Sequence, residues 1–322
     1  MYSQANIILH MEEDIKKEIF LLVDGSAIVH RAYHAMPPLN RSDGTPTGAV
    51  QGFFSMILKI IQELKPAHIA IAFDRPAPNF RKELFKDYQS QRPAMDSDLS
   101  PQFGIIQKLL EAAKIPVYSV DGLEADDVIG TISEKAKQTG HLVYILTGDR
   151  DMLQLVNGKT KVLAPFKGIS QMLLYDEGKV EEKFGVKPSQ FVELKALMGD
   201  SSDNYPGVSG VGPKTAMTLV TKYGSVQNIY QNLEKIKSEN PKLGEKLEKG
   251  HKDALLAHQL ATILTNADFP YDFAQCSIKN LDVEGLKKAM EVYDFKTLPK
   301  RVDEVFKDGK IEKITTSQMK LL

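Results

Sequence analysis

The chain carries a single cysteine, Cys276, among 322 residues. No intramolecular disulfide and no thiolate metal cage can form, and nothing in the sequence demands an oxidising compartment. It also lacks any apolar run approaching the roughly 18 residues of a membrane span. Its first residues, MYSQANIILHMEEDIKKE, place acids where a signal peptide carries a basic flank and a longer apolar core. The expectation is a protein neither secreted nor membrane-spanning, in a reducing cytoplasm. Charge imbalance is absent too, since 41 Lys and Arg nearly cancel 42 Asp and Glu for a net charge of -1. A balanced sum argues against a polyanionic partner only if the charges are evenly spread, so their positions decide. No internal repeat and no low-complexity tract interrupts the chain. Hydrophobic residues make up 42 % of it, enough for a sizeable core, and the length suits two domains of ~100–200 residues each.

What is present is an alternation. From Ile19, IFLLVDGSA is a short apolar run that stops at Asp24-Gly25, a buried strand entering a turn. The same pattern returns in AHIAIAFD ending at Asp74, in IPVYSV before Asp121-Gly122, and in HLVYILTGD ending at Asp149. Helical periodicity fills the intervals over 47–63, 105–113 and 125–136. Alternating strands and helices predict an α/β architecture with a mostly parallel sheet covered on both faces, its ligand site at the carboxyl ends of the strands. A hairpin is expected around Lys167-Gly168, and helices dominate from Val180 onward. Residues 75–101 differ: basic, proline-bearing and without a convincing core face, they read as a mobile excursion over the site. We expect an extension over 1–18, a first domain over 19–195, a helical second domain over 196–306 and a tail over 307–322, with no role read for extension or tail.

Acidic residues gather at those strand ends. Asp24, Asp74, the group Glu124, Asp126 and Asp127 in GLEADDVIG, the pair Asp149 and Asp151 in TGDRD, and the pair Asp200 and Asp203 in MGDSSDN are nine candidates for one site. A lone Asp after a strand is ordinarily a turn former or helix cap; recurrence at separate strand ends favours a shared pocket. Glu124 and Asp127 lie three apart, on one face of a helix whose amino end favours their charge. So many carboxylates cannot all ionise together without counter-charge. Oxygen donors with no Cys and no paired His select Mg²⁺ or Mn²⁺ over Zn²⁺, and the number of acids suggests two ions or more. Two such ions suit in-line displacement at a phosphodiester, so metal-assisted hydrolysis is the expected chemistry.

Two further segments suit a phosphate-rich partner. Residues 206–225, PGVSGVGPKTAMTLVTKYGS, set Gly207, Gly210 and Gly212 ahead of a helix beginning near Pro213, followed by Lys214, Thr215 and Lys222. Such a turn offers bare backbone N–H groups to an anion. Helix, GVG turn, helix is also the pattern of a helix-hairpin-helix element, which holds a DNA backbone without reading bases. A plain helix cap is the competing reading. The excursion supplies Arg75, Arg81, Lys82, Lys86 and Arg92 interleaved with Phe80, Phe85 and Tyr88. These are cations for phosphates and rings for unpaired bases, unless the segment is an ordinary solvated loop. Arg31 and Tyr33 in HRAYHA are weaker candidates for a phosphate and a base, and His30 and His34 read as helix-surface residues.

Taken in order, VDGSAIVHRAYHA, AFDRPAPNFRKELFKDY, GLEADDVIG, TGDRDMLQL, LMGDSSDNYPGVSGVGPKTA and YGS resemble the successive motifs of the 5′-nuclease of bacterial DNA polymerase I, within the flap endonuclease superfamily. The resemblance covers about Ile19 to Phe306. It implies a PIN-like nuclease fold with a helical arch or clamp, followed by a helix-hairpin-helix domain. It also implies cleavage of 5′ flaps, 5′ exonuclease activity and removal of RNA–DNA primers, in the cytoplasm and at the nucleoid of a bacterium. By position, Glu124, Asp126, Asp127, Asp149 and Asp151 correspond to the first ion's ligands, with Asp24 and Asp74 beside them, and Asp200 and Asp203 to the second's. Arg81 resembles the arch arginine. Where the family usually has a lysine after Tyr88, this chain has Gln89, so the expectation is that either Lys86 or Arg92 substitutes or turnover is reduced. Branched or nicked DNA is the implied partner of a monomer, with a DNA polymerase as a candidate second partner and K⁺ as a candidate ion at the glycine turn. The polymerase-bearing part of that family is missing, which fits either a stand-alone nuclease or a fragment. A non-catalytic junction-binding protein and a PIN-type ribonuclease are the alternatives.

Overall fold

In the computed structural model, which describes residues 18–306, the apolar runs form strands and the periodic intervals form helices. The expected extension, apart from Glu18, and the expected tail lie outside the described residues. One six-stranded sheet comprises β1 (Ile19–Asp24), β2 (His68–Ala72), β3 (Val117–Tyr118), β4 (Leu142–Leu146), β5 (Thr160–Lys167) and β6 (Gln171–Tyr175), in the order β3-β2-β1-β4-β5-β6. All neighbours are parallel except β5 and β6, the hairpin that turns at Gly168. β3 is shorter than the IPVYSV run because it sits at the sheet edge, where Val117 is exposed.

The two faces of β1 explain the layering. Ile19, Leu21 and Val23 point into one core with helices Gly25–Ala35, Gly48–Leu64 and Ser100–Ala112. Phe20 and Leu22 point into the other with helix Ala125–Gln138. A central strand buried on both sides reads as an unbroken apolar run, as seen here. Helix Gly48–Leu64 has no side-chain cap from Thr47; instead the buried Gln102 carboxamide oxygen accepts from Ala49 and Val50 N–H, which meets two donors that a helix start leaves unpaired.

A second body of short helices surrounds its own core of Leu194, Leu197, Val208, Leu219, Val220, Ile229 and Leu247. Its extent differs from the expectation. Position 195/196 falls inside helix Phe191–Met198. Helices Val283–Val292 and Leu298–Phe306 return to the first body, placing Leu286, Met290, Leu298 and Val302 in the core beneath β1, while Ile263, Phe269 and Cys276 join the opposite core. Helical periodicity shows that a helix has an apolar face, not which core receives it, so residues 263–306 were unassignable from pattern alone.

Candidate active site

The parallel sheet delivers acids to one end. Asp24 closes β1, Asp74 follows β2, and Asp149 and Asp151 follow β4. Asp24, Asp74, Glu124, Asp126, Asp149, Asp151 and Asp203 line a single recess, and Asp149, Asp151, Asp200 and Asp203 line the adjoining cleft of about 710 Å³. Local hydrogen bonds fix them. The Asp24 carboxylate accepts from Ala27 N–H as a helix cap and from the Thr147 hydroxyl at 2.7 Å. Asp74 accepts from Ala125 N–H at 2.9 Å, and Asp149 from Asp151 N–H at 2.8 Å. The capping reading and the shared-pocket reading therefore hold for the same side chains.

Burial and mutual repulsion raise these carboxyls. Asp24 is pushed up to about 7 by burial and then by Asp74; Asp151 is pushed up to about 7 by burial and then by Asp149. Burial raises Asp126, with Asp149 and Asp24 adding to it, and burial raises Asp149. Asp200 is the exception: burial opposes its charge, but hydrogen bonds from Lys195 and Ser202 outweigh it and hold the carboxyl low. Oxygens of Asp151, Asp200 and Asp203 lie within 4.8 Å of one another. Lys195, from helix Phe191–Met198, bridges two of these acids, 2.5 Å from Asp151 and in contact with Asp200. An ammonium already serves as counter-charge there, so the donor set and electrostatics fit hard divalent cations. Lys195 was missed in the sequence; its only signal is a lysine five residues before Asp200.

The excursion is anchored rather than free, and its helical content is Phe80–Leu84 together with the start of helix Ser100–Ala112. Arg81 is the main correction. It is 2 % exposed, and its five N–H donors are all used: Nε to Leu260 O, one Nη to Glu124 and Asp127, the other to Asp127 and Thr262 O. No donor is left for a phosphate. Asp127 is the second correction. Fully buried, it accepts from Arg81, Glu124 N–H and Leu264 N–H, and it does not line the recess. It anchors Arg81 instead of offering a ligand oxygen to the pocket. Tyr88, expected to meet an unpaired base, is 3 % exposed and stacks on Tyr205 with ring centroids 6.3 Å apart. Phe85 packs in the same cluster. Interleaved aromatic residues in a basic segment here form an inward-facing stripe.

The excursion instead clasps the acids. Glu124 accepts four bonds from it, from Asn79, Gln89, Arg81 and Tyr88. Arg92 donates to Asp203 at 2.6 Å and lines both recess and cleft. Gln89 adopts φ +55, donates its backbone N–H to Asp203 O, and reaches Glu124 with its amide at 3.0 Å. Lys82 and Lys86 are exposed and line neither recess nor cleft. Arg75 pairs with Asp121 at 3.0 Å, Arg31 donates to Gly168 O, and Tyr33 packs against the core. None of these three reaches the acids.

The glycine turn lies at the far side of the cleft, where Gly212 and Pro213 share its wall with the acids. Gly207 is required by packing, since a Cβ there would stand 2.2 Å from Gly199 N; Gly210 adopts φ +75, and Lys246 donates to its carbonyl. Gly212 caps helix Pro213–Tyr223 with open space where a Cβ would project. Lys214 is exposed and Thr215 half-buried on the first turn.

Residues 19–185 match the family model described as 5′-3′ exonuclease, N-terminal resolvase-like domain, and residues 186–284 match 5′-3′ exonuclease, C-terminal SAM fold. The chain belongs to the 5′-3′ exonuclease family. It is 37 % identical over 293 residues to the 5′-3′ exonuclease of Aquifex aeolicus, an alignment covering 91 % of this chain and 98 % of that one. It is 38 % identical over 283 residues to DNA polymerase I of Bacillus subtilis, covering 88 % of this chain but only 31 % of the polymerase. The chain thus spans about a third of that longer relative. T5 5′-exonuclease with divalent metal ions (zinc) bound shares the fold at TM-score 0.63 and 19 % identity, covering 91 % of this chain and 100 % of that one. The catalytic core of Rad2 in complex with DNA substrate does so at TM-score 0.58 and 18 % identity, covering 92 % of each. No helix among the described residues is long and apolar enough to cross a membrane.

Proposed function

We propose that the chain is a divalent-metal-dependent 5′ nuclease acting on branched or nicked DNA with a 5′ flap, both exonucleolytically and at the flap junction, and on RNA–DNA primers in replication and repair. One observation supports this reading above the others: the acids and the exposed Gly212 amide end face each other across one cleft. A duplex backbone held at Gly212, Lys214 and Thr215 would present its strand to the carboxylates a short distance away. Asp24, Asp74, Glu124, Asp126, Asp149 and Asp151 would hold one ion, and Asp200 and Asp203, with Asp151 shared, another. Mg²⁺ is the proposed physiological ion, with Mn²⁺ able to replace it. Bound divalent ions supply Lewis-acid polarisation of water and phosphodiester.

The chain's own residues perform the rest. Arg92, the half-exposed cation between recess and cleft, is placed to neutralise a phosphate once released from Asp203. Lys195 keeps Asp151 and Asp200 close together and would give way to a divalent ion held by the same two carboxylates. Gln89 and Tyr88 hold Glu124 in position, where its carboxylate would be available to a bound ion. We further assign K⁺ to the glycine turn as a supporting ion, and read the chain as a monomer of the bacterial cytoplasm working beside a DNA polymerase. The test is a labelled 5′-flap duplex incubated with Mg²⁺, with EDTA, and with the Asp149→Asn variant. Cleavage only by the intact protein in Mg²⁺ supports the reading; binding without cleavage makes the chain a junction-binding protein.

A further inference from the structure

At the end of the sheet opposite the acids, three other side chains converge. Glu18 precedes β1, His68 opens β2 and His141 precedes β4. Parallel pairing of Phe20 with His68 and of Ile19 with Leu142 sets them side by side at the strand amino ends, one strand length or about 17 Å from the acidic pocket. One donor atom from each lies within 4.8 Å of the other two.

The hydrogen bonds around this point leave lone pairs without protons. The Thr139 hydroxyl donates to Ala136 O at 2.8 Å, so toward His141 Nδ1, 2.9 Å away, it can only accept. The ring proton of His141 is thereby fixed on Nδ1, and in the neutral ring Nε2 is bare. That Nε2 stands 3.2 Å from a Glu18 carboxylate oxygen, a contact that either a proton on Nε2 or a metal ion held between the two groups satisfies. His68 Nδ1 is buried with no hydrogen-bond partner. The two imidazole rings lie 5.1 Å apart at 89°, and Phe273 packs against both at 4.3 and 4.7 Å.

Zinc bound at ~2.0–2.1 Å in tetrahedral geometry sets its donors about 3.3 Å apart, close to the present spacing of Glu18 and His141. A ligating histidine also characteristically donates its second ring N–H to an oxygen, as His141 does to Thr139. We propose that Glu18, His68 and His141 form a binding site for one borderline transition cation of the Zn²⁺ class, separate from the acidic pocket in place and in chemistry. Imidazole donors favour such ions over Mg²⁺. The bound ion would tie the residue entering β1 to the first residues of β2 and β4, a staple across the sheet's amino edge.

The test titrates the full chain with Zn²⁺ in excess Mg²⁺, which on the function proposed above fills the oxygen-donor pocket, reading uptake by calorimetry and imidazole ligation by Co²⁺ absorption. One equivalent per chain is expected, retained in Asp149→Asn and lost in Glu18→Ala and His141→Ala. Thr139→Val, which removes the bond that fixes the tautomer, should weaken affinity about 10–100-fold. His68 is packed between aromatic rings, whereas the Glu18 side chain is 73 % exposed, so Glu18→Ala keeps the test clean of folding effects. No Zn²⁺ uptake in excess Mg²⁺, uptake unchanged in Glu18→Ala and His141→Ala, or uptake lost in Asp149→Asn would each overturn the proposal.

Discussion

Replacing Arg81 separates two roles that a basic residue beside an acidic pocket can have. If Arg81 were a phosphate contact, Arg81→Met would leave stability within about 0.5 kcal/mol and damage only cleavage. The structure predicts the reverse emphasis. Arg81 is buried with all five donors engaged, and removing it leaves the Asp127 carboxylate, itself fully buried, without its counter-charge. Breaking one side of a buried ion pair costs about 3–5 kcal/mol. Two backbone carbonyls, of Leu260 and Thr262, also lose their donor, which keeps the expected loss toward the upper half of that range. Urea unfolding of the Mg²⁺-free protein, followed by far-ultraviolet circular dichroism, measures it. The double variant Arg81→Met with Asp127→Leu should recover part of the loss, because no charge is then stranded. A single variant as stable as the wild type, with no coupling in the double-mutant cycle, would refute the anchoring role.

Three further outcomes follow from the same geometry. Gln89→Lys should leave flap cleavage unchanged or raise it by up to about 100-fold, read as single-turnover rate; a large loss would show that the Gln89 amide bond to Glu124 is itself required. Gly212→Asp places a good helix cap in open space, so stability should hold or rise by about 0.3 kcal/mol. Duplex affinity should nonetheless fall across all sequences, and its salt slope should shrink by about one. The raised carboxyls set a pH dependence. Asp24 moves from 3.8 to about 7 on folding, a displacement of about 4 kcal/mol taken alone. Because the folded value is the higher, that stability is present below pH ~4 and lost as pH rises toward 7 in the metal-free protein. Thermal melts should therefore show Mg²⁺ raising Tm far more at pH 8 than at pH 5, and an equal rise at both would contradict this.

The strand runs carried much of this structure on their face, because a central parallel strand must be apolar on both sides and its end must turn. Asp24, Asp74, Asp149 and Asp151 could thus be placed at one sheet end from sequence alone. The GVG turn was readable for a similar local reason, its glycines being answerable to backbone geometry. Arg81, Tyr88 and Asp127 were misjudged because whether a charge or ring faces in or out of an irregular segment depends on contacts with Leu260, Thr262 and Tyr205, far away in the chain. Lys195 was invisible for the same reason, since only folding brings it to Asp151. The pairing of His68 with His141 was hidden by their separation of 73 positions in the chain, which β-sheet register alone closes.

Calorimetric titration with Mg²⁺ in two buffers of different ionisation enthalpy tests the central claim most directly, since binding to carboxyls that hold protons near neutrality must release them. The account predicts saturable uptake with proton release near pH 6.5, abolished in the Asp149→Asn, Asp151→Asn variant. Absence of uptake by the intact protein, or the same uptake by the variant, would contradict it.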